Sequence, residues 1–298
     1  MRIDPSPPRP DFNESAHFLI GGCNMKLDNV QRQSDFQRLA LGDAWEAYEN
    51  GKLRLASHIL ESNLSGSEDV NHQMRAKAFE LLGLVKYDLG LVKESADAIE
   101  NAGLLAPLCD AARVTLACCY AQLGHIDLAR DLYLQLAFSR KLSSTLMLEV
   151  AAGLEAIDAP QIALQVCELI LEQNEDVAQA YYDMGFYSAR AGNPLYLTEA
   201  LTIRALELDP ENIHYRVGFV SLLIQLGRDA DALRAFGHIT PAVISKVNCA
   251  GCLTRITEML ERQGIPGLAS VCEDRIDQLK RANGTATSTS EQNHRSHR

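Results

Sequence analysis

Positive charge is scarce in this chain: 28 Lys and Arg face 39 Asp and Glu, for a formal net charge of −11 over 298 residues. Such a surface repels phosphate backbones and anionic headgroups, so neither nucleic acid nor a membrane surface is expected as the main partner. Long apolar runs are also missing. No stretch approaches the roughly 20 residues of a membrane-spanning helix, and membrane insertion is not expected. In the N-terminal segment MRIDPSPPRPDFNESAHFLIGGCNMK the only apolar run is Phe18–Ile20, too short for the core of a secretory signal. Ile20-Gly21-Gly22-Cys23 loosely resembles a lipoprotein cleavage box but lacks the apolar run that should precede one. A cytoplasmic location is therefore expected. The cysteines (Cys23, Cys109, Cys118, Cys119, Cys167, Cys249, Cys252 and Cys272) then read as reduced, buried thiols.

Catalytic signatures are absent as well. The sequence holds no H-E-x-x-H, phosphate loop, G-x-S-x-G or dinucleotide fingerprint. Its histidines are scattered, and its carboxylates read as solvated helix faces. No enzyme activity and no cofactor are expected.

What the chain does have is a returning glycine. Gly90 and Gly124 are 34 residues apart; the next two steps of 34 land on Asp158 and Gly192, and Gly227 and Gly264 follow at 35 and 37. Five residues after most of these markers, and after Gly51, stands a small residue: Ala56, Ser95, Ala129, Ala163, Ala232 and Ala269. Between markers, apolar residues fall at helical spacing, as at Phe79, Leu82 and Gly83, then Ser95, Ile99 and Ala102, closing at Pro107. A period near 34 residues with this internal pattern predicts stacked helical hairpins.

The pattern resembles the tetratricopeptide repeat (TPR). Leu116, Ala117, Tyr120, Gly124, Ala129 and Tyr133 fit one copy. Val150, Ala151, Ala163 and Cys167 fit the next, where Asp158 replaces the usual glycine and Pro160 follows. Tyr181, Gly185 and Gly192 open a fifth, ending at Ala205-Leu206-Glu207-Leu208-Asp209-Pro210, and one extra residue near Asn193-Pro194-Leu195 shifts its second helix. Gly227, Ala232 and Phe236 fit a sixth; the outer copies around Ala44 and Leu260 are weaker. The resemblance implies an all-α, right-handed superhelical solenoid of about seven hairpins over residues 35–282. Around it, 1–14 reads as a disordered Pro-rich leader and 283–298 as a disordered polar tail. The apolar segment in 15–34 either caps the first repeat or lies in the groove.

In such arrays the first helix of each repeat lines a concave face. The matching positions include Trp45, Tyr48, Glu80, Leu84, Tyr87, Val114, Cys118, Leu148, Glu155, Tyr182, Phe186, Arg190, Val217 and Ile224. The resemblance implies a non-catalytic adaptor, chaperone-like in manner, that binds a peptide or helical segment of a protein partner in an apolar groove. Glu80, Asp88, Glu155 and Arg190 are expected at its rim. Packing between repeats explains the same stripe. Self-association into a structural scaffold stays open as an alternative. So does a thiol-based metal or redox module at Cys249-Ala250-Gly251-Cys252, although His238 and Cys272 lie at no standard zinc spacing and no metal is expected.

Overall fold

A computed structural model of the chain describes residues 34–65, 72–139, 142–237 and 239–295, with side chains described between Ala40 and Arg281. The leader at 1–14 and all but the last residue of the apolar segment at 15–34 lie outside the described residues, as do the side chains of the tail at 283–298. Among the described residues every regular element is an α-helix. One compact unit ends at Gln173 and comprises α1 (Ser34–Glu49), α2 (Leu53–Ser65), α3 (His72–Asp88), α4 (Val92–Leu105), α5 (Asp110–Gln122), α6 (Ile126–Ala137), α7 (Ser144–Ala156) and α8 (Pro160–Gln173). The other begins at Asn174 and comprises α9 (Ala178–Arg190), α10 (Leu195–Leu208), α11 (Ile213–Gln225), α12 (Asp229–Phe236), the single turn α13 (Pro241–Ile244), α14 (Ala250–Arg262) and α15 (Pro266–Arg295). Within each unit, successive helices pair into hairpins that pack on their neighbours.

Every hairpin turns on one left-handed residue. Gly51, Gly90, Gly124, Asp158, Gly192, Gly227 and Gly264 have φ between 62 and 83°. At Gly124 the N–H bonds to the carbonyl of Ala121 (3.2 Å), and the next N–H, of His125, reaches back to Tyr120 (2.8 Å). The same two bonds recur at the other six turns. They satisfy carbonyls that the end of a helix would otherwise leave open. Glycine adopts this conformation without steric cost, and Asp is among the few other residues that tolerate it. The sequence period is thus the spacing of left-handed caps.

The small residue five positions on is buried at Ala56, Ser95, Ala129, Ala163, Ala232 and Ala269. There the second helix crosses closest to the first. Ser95 Oγ donates to the carbonyl of Gly83 (2.7 Å), and a Cβ on Gly83 would lie 2.3 Å from Ile99. In the fifth hairpin the equivalent is displaced by one. Leu197 is 38% exposed, whereas Thr198 is buried and its hydroxyl donates to Gly185 (3.1 Å). The extra residue is absorbed between Gly192 and α10, so the crossing is conserved and the register moves.

The longer interval from Gly227 to Gly264 has a comparable explanation. α12 is only 8 residues long, and Pro241 starts α13 at its first helical position. This inserted turn drives Ile239, Ile244 and Val247 into the core of the second unit beside Phe236, Leu253 and Ile256. In the first unit, close approach comes from Gly153, where a Cβ would lie 2.2 Å from the ring of Tyr133.

Two substitutions separate conformation from packing. Gly124 has nothing within 4 Å of a built Cβ, so Gly124→Ala loses only the left-handed preference, about 1–2 kcal/mol; Gly124→Asn loses less. Gly153→Ala keeps a helical φ but overpacks against Tyr133, which costs about 1–3 kcal/mol. Urea unfolding followed by circular dichroism should give earlier midpoints for both alanine variants and an intermediate midpoint for Gly124→Asn.

Candidate functional site

The first helices of the hairpins carry the residues implied for the groove. In the first unit most of them are held in the protein. Tyr48, Leu84, Val114 and Cys118 are each at most 5% exposed. Tyr48 and Leu84 belong to one apolar cluster with Leu41, Leu60 and Leu81. The Cys118 thiol accepts a hydrogen bond from the Tyr133 hydroxyl (3.2 Å), and burial pushes that thiol up to about 12. Trp45 is half-buried; its indole N–H donates to Glu49 (2.7 Å) and its ring centroid lies 6.0 Å from that of Tyr48. Tyr87 is half-buried, its hydroxyl accepts from Gln122 (2.9 Å), and burial raises its pKa. Leu148 and Glu155 are half-buried on α7.

Glu80, expected at the rim, is buried instead. Its Oε1 accepts the backbone N–H of Cys109 (2.6 Å), the N-cap residue of α5 in the next hairpin. Cys109 supplies no side-chain cap of its own, so Glu80 satisfies an N–H at that helix start. Burial raises the carboxyl above its usual range, against the opposing effect of the hydrogen bonds.

The second unit contains an open cavity of about 240 Å³ between α9, α10, α11 and α14. Phe186, Ala189, Leu195 and Leu222 give it an apolar lining. Tyr182 forms one wall. It is 7% exposed, stacked on Tyr215 at 4.8 Å and 28°, and pressed on Gly218, where a Cβ would lie 2.1 Å from its hydroxyl oxygen. Burial raises the Tyr182 pKa well above the ordinary tyrosine value. Thr198 and Thr202 line the floor, with their hydroxyls donating to the carbonyls of Gly185 and Thr198. Gly192, Asn193 and Leu195, at and beside the one-residue insertion, line it too. The irregular turn of the fifth hairpin therefore forms part of the cavity wall. Arg190 is exposed at the end of α9, while Val217 is buried and Ile224 half-buried against the core.

Polar chemistry enters from α14. Of the residues lining the cavity only Arg255 carries a formal charge; its Nε donates to Ser221 Oγ (2.7 Å) and its Nη2 lies 4.0 Å from Cys252 Sγ. Cys249 caps α14, with its sulfur accepting the backbone N–H of Cys252 (3.0 Å). Among the described residues no group of three His, Cys, Asp or Glu side chains is placed to hold a metal ion, and His238 lies outside them. Cys272 is buried, its thiol pushed up to about 11 by burial. Two thiols are half of the usual zinc set.

Arg255 was not anticipated from sequence. Its partner Ser221 stands 34 residues earlier, and two other polar contacts have nearly the same spacing: Tyr87 with Gln122, and Gln179 with Tyr215. Polar pairs one period apart bridge successive first helices.

No protein-family model matches the chain, and no curated protein matches it. Solved structures do. A tetratricopeptide repeat protein from Parabacteroides merdae ATCC 43184 is similar with a TM-score of 0.64 at 16% identity, over 83% of this chain and 94% of that one. YrrB, described as a TPR protein with an unusual peptide-binding site, is similar at 0.47 and 17%, over 59% of this chain and 88% of that one. TTC0263, a thermophilic TPR protein in Thermus thermophilus, is similar at 0.48 and 17%, over 63% and 99%. The chain has the TPR-like, all-α fold that its repeats imply. No helix among the described residues is long and apolar enough to cross a membrane.

Glu80 gives a test of the hairpin-to-hairpin contact. Glu80→Ala removes the acceptor from the Cys109 N–H and is expected to cost about 1–3 kcal/mol. Glu80→Gln keeps an acceptor oxygen and sheds the buried charge, so it should be close to neutral at pH 7. Because the folded carboxyl titrates above its unfolded value, the folded state takes up that proton first as pH falls. Wild type should therefore gain stability relative to Glu80→Gln on acidification, read from urea midpoints at successive pH values.

Proposed function

We propose that the chain is a non-catalytic, cytoplasmic interaction scaffold that binds a peptide or helical segment of a protein partner. The observation that carries this reading is the cavity of about 240 Å³ on the first-helix side of the second unit. It has an apolar lining and a single guanidinium. A pocket of this make-up suits one apolar side chain as an anchor, with Arg255 meeting a nearby hydrogen-bond acceptor of the bound segment. Phe186 is the best candidate for an aromatic contact, because it is half-buried at the cavity whereas Tyr182 is committed to Tyr215 and Gly218. In the first unit, Trp45, Tyr87, Leu148 and Glu155 are half-buried first-helix positions and separate candidate contacts. The acidic surface would speed the approach of a basic segment over that of an acidic one.

Selection from a random peptide display library on the immobilised full chain tests this. Enriched peptides should share an apolar anchor. Phe186→Ala should weaken them about tenfold or more, and Ala189→Trp, which fills the cavity, should abolish binding. Leu104→Ala, at an 83% exposed position on α4, should leave affinity unchanged. Enriched peptides that bind the two cavity variants as well as wild type would overturn the reading.

A further inference from the structure

The cavity carries a second chemistry, independent of whether a peptide enters it. Cys249 and Cys252 stand at the N-cap and third helical position of α14, one turn apart on one face, a spacing within the reach of a disulfide. Their environments differ. Cys252 lines the cavity, with the Arg255 guanidinium 4.0 Å from its sulfur and Ser221 bridging to the same guanidinium. Cys249 lies outside the lining and its sulfur accepts the Cys252 backbone N–H. A hydrogen bond from the Cys249 thiol, together with the guanidinium, holds the Cys252 thiol below its ordinary range; that same bond and burial hold Cys249 above it. Burial pushes Cys118 up to about 12 and both Cys119 and Cys272 up to about 11, which disfavours their thiolates.

We propose that Cys252 is a peroxide-reactive thiol whose access is the cavity, and that Cys249 resolves it. Cys252 is only 1% exposed, so the reagent must be of water size, which hydrogen peroxide is. The Cys252 thiolate attacks one peroxide oxygen. The O–O bond breaks, an S–O bond forms, and the departing hydroxide takes up the proton that Cys252 released on ionising, to become water. The Cys249 sulfur then attacks the Cys252 sulfur. The S–O bond breaks as the S–S bond forms, and the hydroxyl leaves as water with the Cys249 proton. Two thiols lose two electrons in all, and the peroxide is reduced to two waters. Arg255 is a positioning residue: it holds the thiolate and touches no oxidant in this scheme.

The test uses the reduced full chain with a small excess of hydrogen peroxide, quenched by alkylation in denaturant and mapped by peptide mass. The expected product is the Cys249–Cys252 peptide short of two hydrogens, formed about tenfold or more faster than oxidation at Cys109, the partly exposed thiol among the described residues. Cys249→Ser should stop at a Cys252 sulfenic acid, trapped by dimedone, and Cys252→Ser should leave Cys249 a thiol. Arg255→Met should slow the first step severalfold, and Arg255→Lys should restore part of the rate. The wild-type map needs no variant to fold: first oxidation at Cys109, or a Cys252 that stays reduced, would overturn the proposal. So would a folded Cys249→Ser chain that gives no dimedone adduct.

Discussion

The turn inside each hairpin rests on one residue of positive φ, and seven such residues set where the hairpins turn. Because each cap closes with the same two hydrogen bonds, the second helix leaves each turn in the same direction. The small side chain five positions later then has a fixed crossing point to fill. Burial of those residues, the close approach at Gly83, and the apolar clusters between helices all depend on that geometry. Cap and crossing are local, within about a dozen residues, so each hairpin is specified largely by its own sequence. Contacts between hairpins need only match neighbours.

That locality is why the fold could be read from the sequence. A left-handed cap strongly prefers glycine, and a tight crossing demands a small residue; both requirements write single letters at fixed intervals. Asp158 breaks the letter but keeps the conformation, with φ of 62°. The turn α13 was not visible in advance, although the lengthened interval before Gly264 was its trace. Helical periodicity cannot show where surplus residues will fold.

The site was less legible, since a first-helix position has two uses that look alike in sequence. Tyr182 and Phe186 are four residues apart, and both are aromatic. One is committed to a ring stack and the absent side chain of Gly218; the other borders open space. What separates them is the neighbouring hairpin, not their own. Glu80 is similar. Its charge suggested a rim, but the uncapped start of α5 draws it inward. Arg255 and Cys252 gain meaning only from Ser221, a full repeat away. The cavity itself owes part of its wall to the inserted residue near Asn193, a departure from the period rather than an expression of it.

The polar bridges spaced by about one period have a further consequence, for how such a chain can change length. Ser221 and Arg255 lie on successive first helices, as do Tyr87 and Gln122. Duplicating or deleting a whole repeat returns equivalent positions to equivalent neighbours, so the bridge can be rebuilt one step along. An insertion of one residue has no such solution inside a helix, and a turn must take it up. Growth by whole units leaves the walls uniform, whereas the single-residue slip at Asn193 makes one hairpin unlike the rest. In an array of near-equal parts, a local asymmetry of that kind gives a ligand a reason to prefer one place over the others.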